Sequence, residues 1–149
     1  MVPSIKDLTV RAKDDIRTFI DDGWFTQDEV PGIYICRIIT EQRAFTGVIA
    51  LNSIQDFHNG RIKKHEKTLA QREAEYHHLL QEWQSVIKPV LLTYPAQPLI
   101  SNWISDYTQS HPISLEVSVP EDKEQHQFWA IQEPADIAAI QSLFANLVP

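Results

Sequence analysis

Apolar residues recur along the chain in blocks whose spacing alternates between the helical and the extended period. Leu8, Ala12, Ile16 and Ile20 repeat every four residues, with Phe19 widening the stripe. That spacing predicts a helix over about 5–21, capped by Ser4 and ended by Asp21-Asp22-Gly23. Asp14, Asp15 and Arg17 fall on its wet side. The β-rich run Ile33-Tyr34-Ile35-Cys36-Arg37-Ile38-Ile39 then reads as a strand, opened by Pro31-Gly32. Thr40 to Arg43 has hairpin length, and Phe45 to Leu51 supplies a returning strand that should pair antiparallel with the first. Both runs are almost continuously apolar, so they are expected to be central strands covered on both faces.

Ser53 to His58 fits one helical turn, followed by the turn signal Asn59-Gly60. Thr68 with Gln71 matches a capping box, and Leu69, Tyr76, Leu79, Leu80, Trp83 and Ile87 keep helical spacing up to Pro89. Val90-Leu91-Leu92-Thr93-Tyr94 predicts a buried strand. Pro98 opens a helix carrying Leu99, Trp103, Ile104 and Tyr107. Ile113 to Val119 alternates as an exposed or edge strand does, and His126 to Ile131 returns as the second arm of a hairpin. Pro134 begins a last helix with Ile137, Ile140, Leu143, Phe144 and Leu147 on its apolar side. The predicted fold is α/β of the mixed kind: one mixed sheet of about five strands flanked by helices.

The 149 residues, 43% hydrophobic and 22% charged, fit a single domain with one core. No run approaches the roughly 18 apolar residues of a membrane span, and Met1-Val2-Pro3-Ser4 does not open a signal peptide. Cys36 is the only cysteine, which rules out an intrachain disulfide or a multi-thiolate zinc site and fits a reducing, cytoplasmic location. Its place mid-strand in an apolar run suggests a buried, inert thiol. A net charge of −7 argues against a general nucleic-acid surface. The pattern leaves oligomeric state open.

Charge distribution changes that picture. Within residues 61–72, Arg61, Lys63, Lys64, Lys67 and Arg72 face one acid, Glu66, a net of +4 that leaves −11 on the rest. A helix N-terminus presents unpaired N–H groups and about half a positive charge, so a helix starting at Thr68 would attract an anion. Lys63, Lys64 and Lys67 add side-chain cations there, and Gly60 permits a sharp approach. A phosphate or carboxylate is the expected ligand. The plainer alternative is a capped helix behind a solvated, charged loop. Glu66 either accepts a substrate proton or neutralises its neighbours.

The histidines give no metal site. His58, His65, His77 and His78 cluster in sequence, but adjacent helical residues point about 100° apart and no His-Glu-x-x-His is present. Four glycines supply no glycine-rich phosphate loop. Trp83, Trp103 and Trp129 lie on apolar stripes and are expected in the core, whereas Trp24 stays ambiguous.

The segment Gly60-Arg61-Ile62-Lys63-Lys64-His65-Glu66-Lys67-Thr68, with Tyr34 before it and Gly47-Val48-Ile49-Ala50 on the partner strand, resembles the uncharacterised prokaryotic family catalogued as domain of unknown function 1015. His-Glu-Lys-Thr is that family's hallmark. The similarity runs through Arg72 and the stretch from Pro89 to Tyr94, and more weakly through Phe128-Trp129-Ala130-Ile131 to the end. Members of that family are longer and continue into a segment reading Ala-Asp-Gly-His-His-Arg. The resemblance therefore implies that this chain is a fragment of a longer protein. A His-Glu motif followed by such a segment is also distantly similar to the partition-protein (ParB) and sulfiredoxin superfamily, which includes free serine kinases. That likeness implies a kinase-like site using ATP or ADP with Mg. Glu66 would activate a substrate hydroxyl, His65 and Thr68 would shape the phosphate end, and Lys63, Lys64 and Lys67 would offset nucleotide charge. The competing expectations are a non-enzymatic ligand-binding or regulatory module and a structural domain of a larger protein.

Overall fold

A computed structural model describes residues 17–23, 25–65, 69–83, 86, 89–120 and 123–147. The chain divides into two units, Val30–Lys63 with Tyr94–Pro149, and Met1–Glu29 with Lys64–Thr93.

The first unit is built on a sheet. Strands β1 (Ile33–Ile39), β2 (Ala44–Ile49), β3 (Leu115–Val119) and β4 (Glu124–Ile131) lie in the order β2-β1-β4-β3. All neighbours are antiparallel, with Ile35 opposite Val48 on one side and Trp129 on the other. Its described residues form the helices α2 (Ile54–His58), α4 (Pro98–Ser110) and α5 (Pro134–Ala145). Proline occupies the first turn of both α4 and α5, where its missing N–H would have no intrahelical partner in any case. Gly32 leads into β1 because a Cβ there would lie 2.9 Å from the Ile131 carbonyl oxygen.

Side chains alternate across a strand, so one face of this sheet collects Ile33, Ile35, Trp129 and Ile131. Against them pack Ile100, Ile104 and Tyr107 of α4 and Ile140 of α5, with Ile137, Leu143, Phe144 and Leu147 partly buried around them. Ile35, Ile100, Ile131 and Ile140 are at most 1% exposed. Burying each such side chain contributes about 1.5–3 kcal/mol before chain entropy is counted, so this one interface dominates the unit's stability.

The second unit contributes helical residues 17–21 (α1) and α3 (Ala70–Trp83). Gly23, at φ +77°, closes α1 in the left-handed region, and the Phe25 ring meets Phe19 edge-on at 5.3 Å. The expected helical stretch over 5–16, Trp24, Ile87 and the Trp83 side chain lie outside the described residues.

Several expectations need correction. Among the described residues the sheet has four strands, all antiparallel, not five in a mixed arrangement. The missing member is the run Val90 to Tyr94, which carries no strand pairing and leaves Val90 and Leu91 more than 80% exposed. Pro89 and Pro95 bracket it, and both lack the N–H that a ladder needs. β2 is an edge strand, not a central one, and the sheet face opposite α4 and α5 leaves Phe45, Ile49, Leu115 and Val117 exposed. Leu99 is exposed on α4 while Ile100 takes the buried place. On α1, Phe19 and Ile20 are exposed, and on α3 Tyr76 and Leu80 are exposed. Cys36 is half-buried, and its surroundings push the thiol pKa up by desolvation.

Candidate functional site

The basic segment begins as the end of α2. Ser53 caps that helix by accepting from the Gln55 N–H at 3.2 Å. Asn59 closes it, and Gly60 follows at φ +80°, a conformation a side chain would strain. The Gly60 N–H then donates to the Phe57 carbonyl at 3.3 Å, and the Ile62 N–H to the Asp56 carbonyl at 2.8 Å. The Asn59 Oδ1 accepts from the Arg61 N–H at 3.2 Å, so the reversal is fixed by side chain as well as backbone.

Arg61 is committed within the fold. Its Nη2 donates to the Ala145 carbonyl at 3.0 Å, satisfying an acceptor in the last turn of α5. Its Nε lies 3.8 Å from an Asp56 carboxylate oxygen. A cation at a helix C-terminus meets partial negative charge, so both contacts favour the same place for the guanidinium.

Beyond Ile62, the side chains of Lys63, Lys64 and His65 are exposed. Lys63 closes one unit and Lys64 opens the other. Glu66, Lys67 and Thr68 lie outside the described residues, so the cap at Thr68 and the Glu66 environment do too. α3 starts at Ala70, immediately after the segment. Gln71, the other arm of the expected capping box, donates its amide to Glu75 Oε1 at 3.1 Å. Arg72 pairs with Glu75 at 3.6 Å, the arginine largely exposed and the carboxylate partly buried. A shallow open depression runs along this one helix, lined by Arg72, Glu73, Tyr76, His77 and Leu80. Among the described residues, no three His, Cys, Asp or Glu side chains are grouped to hold a metal ion, and no helix is long and apolar enough to cross a membrane.

A second polar cluster escaped the reading of the sequence. Arg37, on central β1, lays its guanidinium over the Trp129 ring at 5.0 Å and donates to Thr108 Oγ1 at 3.2 Å. Beside it, Trp103, Tyr107 and His111 of α4 and its cap stack in a ladder with centroids 5.1 and 3.9 Å apart. Tyr107 donates its hydroxyl to the Ala130 carbonyl at 3.1 Å, and burial raises its pKa, with Asp136 and Glu133 adding to the shift. The one available signal was a lone arginine inside an otherwise apolar strand.

A family model described as protein of unknown function (DUF1015) matches residues 3–148. This chain belongs to the DUF1015 family. No curated protein and no solved structure matches it. DUF1015 membership spans both the sheet unit and the basic segment, and the family's description assigns no reaction to either.

Proposed function

We propose that the chain carries one half of a small-molecule phosphotransferase site, in which the segment from Lys63 to Thr68 meets the phosphates of a nucleotide. The observation that supports this reading is the segment itself: residues 61–69, with four bases against one acid for a net +3, lead directly into α3 at Ala70, and Arg72 adds a cation in its first turn. Cations and helix N–H groups arriving together are what phosphate recognition needs. In the distant likeness to the partition-protein and sulfiredoxin superfamily, Glu66 is the base that takes the proton of a substrate hydroxyl. His65 and Thr68 shape the phosphate end, while Lys63, Lys64 and Lys67 balance charge. ATP or ADP with Mg is the matching cofactor. The chain is then part of a longer protein in a cytoplasmic setting, and phosphotransfer needs the His-His-Arg segment that family members carry downstream.

One observation favours a second reading, in which the turn is a capped loop of a binding or structural module. Arg61 spends its guanidinium on Ala145 and Asp56, inside the fold. A thermal-shift series on the longer protein separates the two. A nucleotide at about 100 times its Kd stabilises the native state by about 2.7 kcal/mol, which raises Tm by several degrees. Loss of that rise in Lys63→Ala with Lys64→Ala supports the phosphate-binding turn. A flat response to ATP, ADP and Mg sinks it.

A further inference from the structure

Arg37 occupies the helix-covered face of β1, one step outward from buried Ile35. Its register row runs Thr46 of β2, Arg37, Gln127 of β4 and Glu116 of β3. Inward of that row the face is apolar, with Ile35, Val48 and Trp129; at the row it turns polar. Arg37 therefore stands where the core ends.

Its donors are unevenly used. Nε donates to Thr46 Oγ1 at 3.4 Å, and Nη2 to Thr108 Oγ1 at 3.2 Å. The Thr108 hydroxyl itself donates to the Ser105 carbonyl at 3.1 Å, which leaves its lone pairs to accept from Arg37. An arginine has five N–H donors, so both protons of Nη1 and one of Nη2 remain. Among the described residues no carboxylate pairs with Arg37. The acid in its own row, Glu116, instead accepts from Gln127 Nε2 at 2.8 Å.

A guanidinium drawn fully into the interior is matched by a carboxylate, whereas a partly covered one keeps its head accessible. Here its flat side is held by the Trp129 ring and its Nε and Nη2 by two hydroxyls, which leaves the Nη1/Nη2 fork without a carboxylate among the described residues. That fork fits two oxygens of one carboxylate or phosphate group side by side. We propose that Arg37 is an oxyanion-binding residue, taking the carboxylate or phosphate group of a small molecule end-on at Nη1 and Nη2. Trp129 is the floor of this site, and Thr46 and Thr108 are its positioning residues. The site is independent of the Lys63 to Thr68 segment.

The competing account makes Arg37 only a cover for Trp129, balanced by the partial negative charge at the end of α4. The two accounts differ in titration of the 149-residue chain with inorganic phosphate and, separately, acetate. Arg37 Nε–H and the Thr46 and Thr108 amides are followed by NMR against sodium chloride at matched ionic strength. The proposal expects saturable shifts with Kd on the order of millimolar. Arg37→Gln should abolish them. Arg37→Lys, which keeps charge and stem but loses the fork, should weaken binding by about fivefold or more. Lys123→Ala, which removes an exposed cation paired with Glu41 at 2.9 Å, should leave it unchanged, and because the signals followed belong to Arg37, Thr46 and Thr108 this outcome stays separate from the fate of the basic segment. Tighter phosphate marks a phosphate-bearing ligand, and tighter acetate a carboxylate. Shifts no larger than those from chloride, or equal binding by the two Arg37 variants and the parent, overturn the proposal.

Discussion

The basic segment after α2 and the polar row around Arg37 are opposites in how they show their charge. The segment concentrates five cations within residues 61–72, and the row holds a single arginine in an apolar strand. Yet the first cation of the segment is consumed internally, 3.0 Å from the Ala145 carbonyl. Among the described residues, the lone arginine of the row donates to two hydroxyls and lies over one ring. Charge density along a chain counts cations. What matters for a ligand is which of them the fold leaves with open donors, and that depends on contacts from distant residues such as Ala145 and Thr108.

The largest effect that sharpens this contrast concerns Glu66. In a longer protein that phosphorylates a small hydroxylated substrate, Glu66→Gln should lower kcat by about 10²- to 10⁴-fold, the usual contribution of a general base. Tm should barely move, and nucleotide affinity should stay within a few-fold. Lys64→Ala should weaken nucleotide binding first. Near-normal turnover in Glu66→Gln would return the segment to a capped loop.

Next comes the floor under Arg37. Trp129 is 3% exposed in the core, so Trp129→Ala should cost about 3–5 kcal/mol, measured as a fall in the urea midpoint. Leu80→Ala on α3, where the side chain is 42% exposed, should cost under about 1 kcal/mol. Equal losses at the two positions would mean that α3 buries its apolar stripe after all.

These differences mark what the sequence pattern could and could not carry. Strict alternation over 113–119 identified an edge strand, and β3 is one. The stripe Ile137, Ile140, Leu143, Phe144 and Leu147 named the buried side of α5. Phe45 to Leu51 looked central because its composition matches that of β1, but composition does not say whether a neighbour exists on the far side. Val90 to Tyr94 failed for the same reason, since an apolar run without a pairing partner makes no strand. On α4 the stripe was off by one residue at its start, because Leu99 and Ile100 both fit a helix that shares Ile104 and Tyr107. The segment from Lys63 to Thr68 was singled out by local charge and motif, which need no tertiary information, and its last three residues lie outside the described ones. Arg37 was not, because its partners Thr46, Thr108 and Trp129 come from three other elements.

A smaller effect separates Arg61 from the lysines that follow it. Arg61→Ala removes a hydrogen bond to Ala145 and a weak pair with Asp56, and should destabilise the chain by about 1 kcal/mol. Exposed Lys63→Ala should change stability by no more than about 0.5 kcal/mol. If Lys63 proves the costlier of the two in a thermal melt, Arg61 is not the anchor of the turn.

The smallest expected effect lies on the other face of β1, at Cys36, next in sequence to Arg37. Burial raises its pKa above the ordinary 9.0, so the native thiol stays protonated where an unfolded one has begun to ionise. Thiolate is the nucleophile, and alkylation by iodoacetamide at pH 8 should be slower in the native chain than in urea. The native rate should keep climbing with pH after the unfolded rate, set by a thiol of ordinary pKa, has levelled. The same shift carries a stability sign. Below the unfolded pKa both states are protonated and Cys36 imposes no penalty. As pH rises past it the unfolded state loses its proton first, so native stability should decline through the alkaline range. Cys36→Ser should remove that alkaline contribution while leaving Arg37 chemistry in place. An alkylation profile that levels at the same pH in native and unfolded chains would show that the β1 thiol is wetter than its half-buried position indicates.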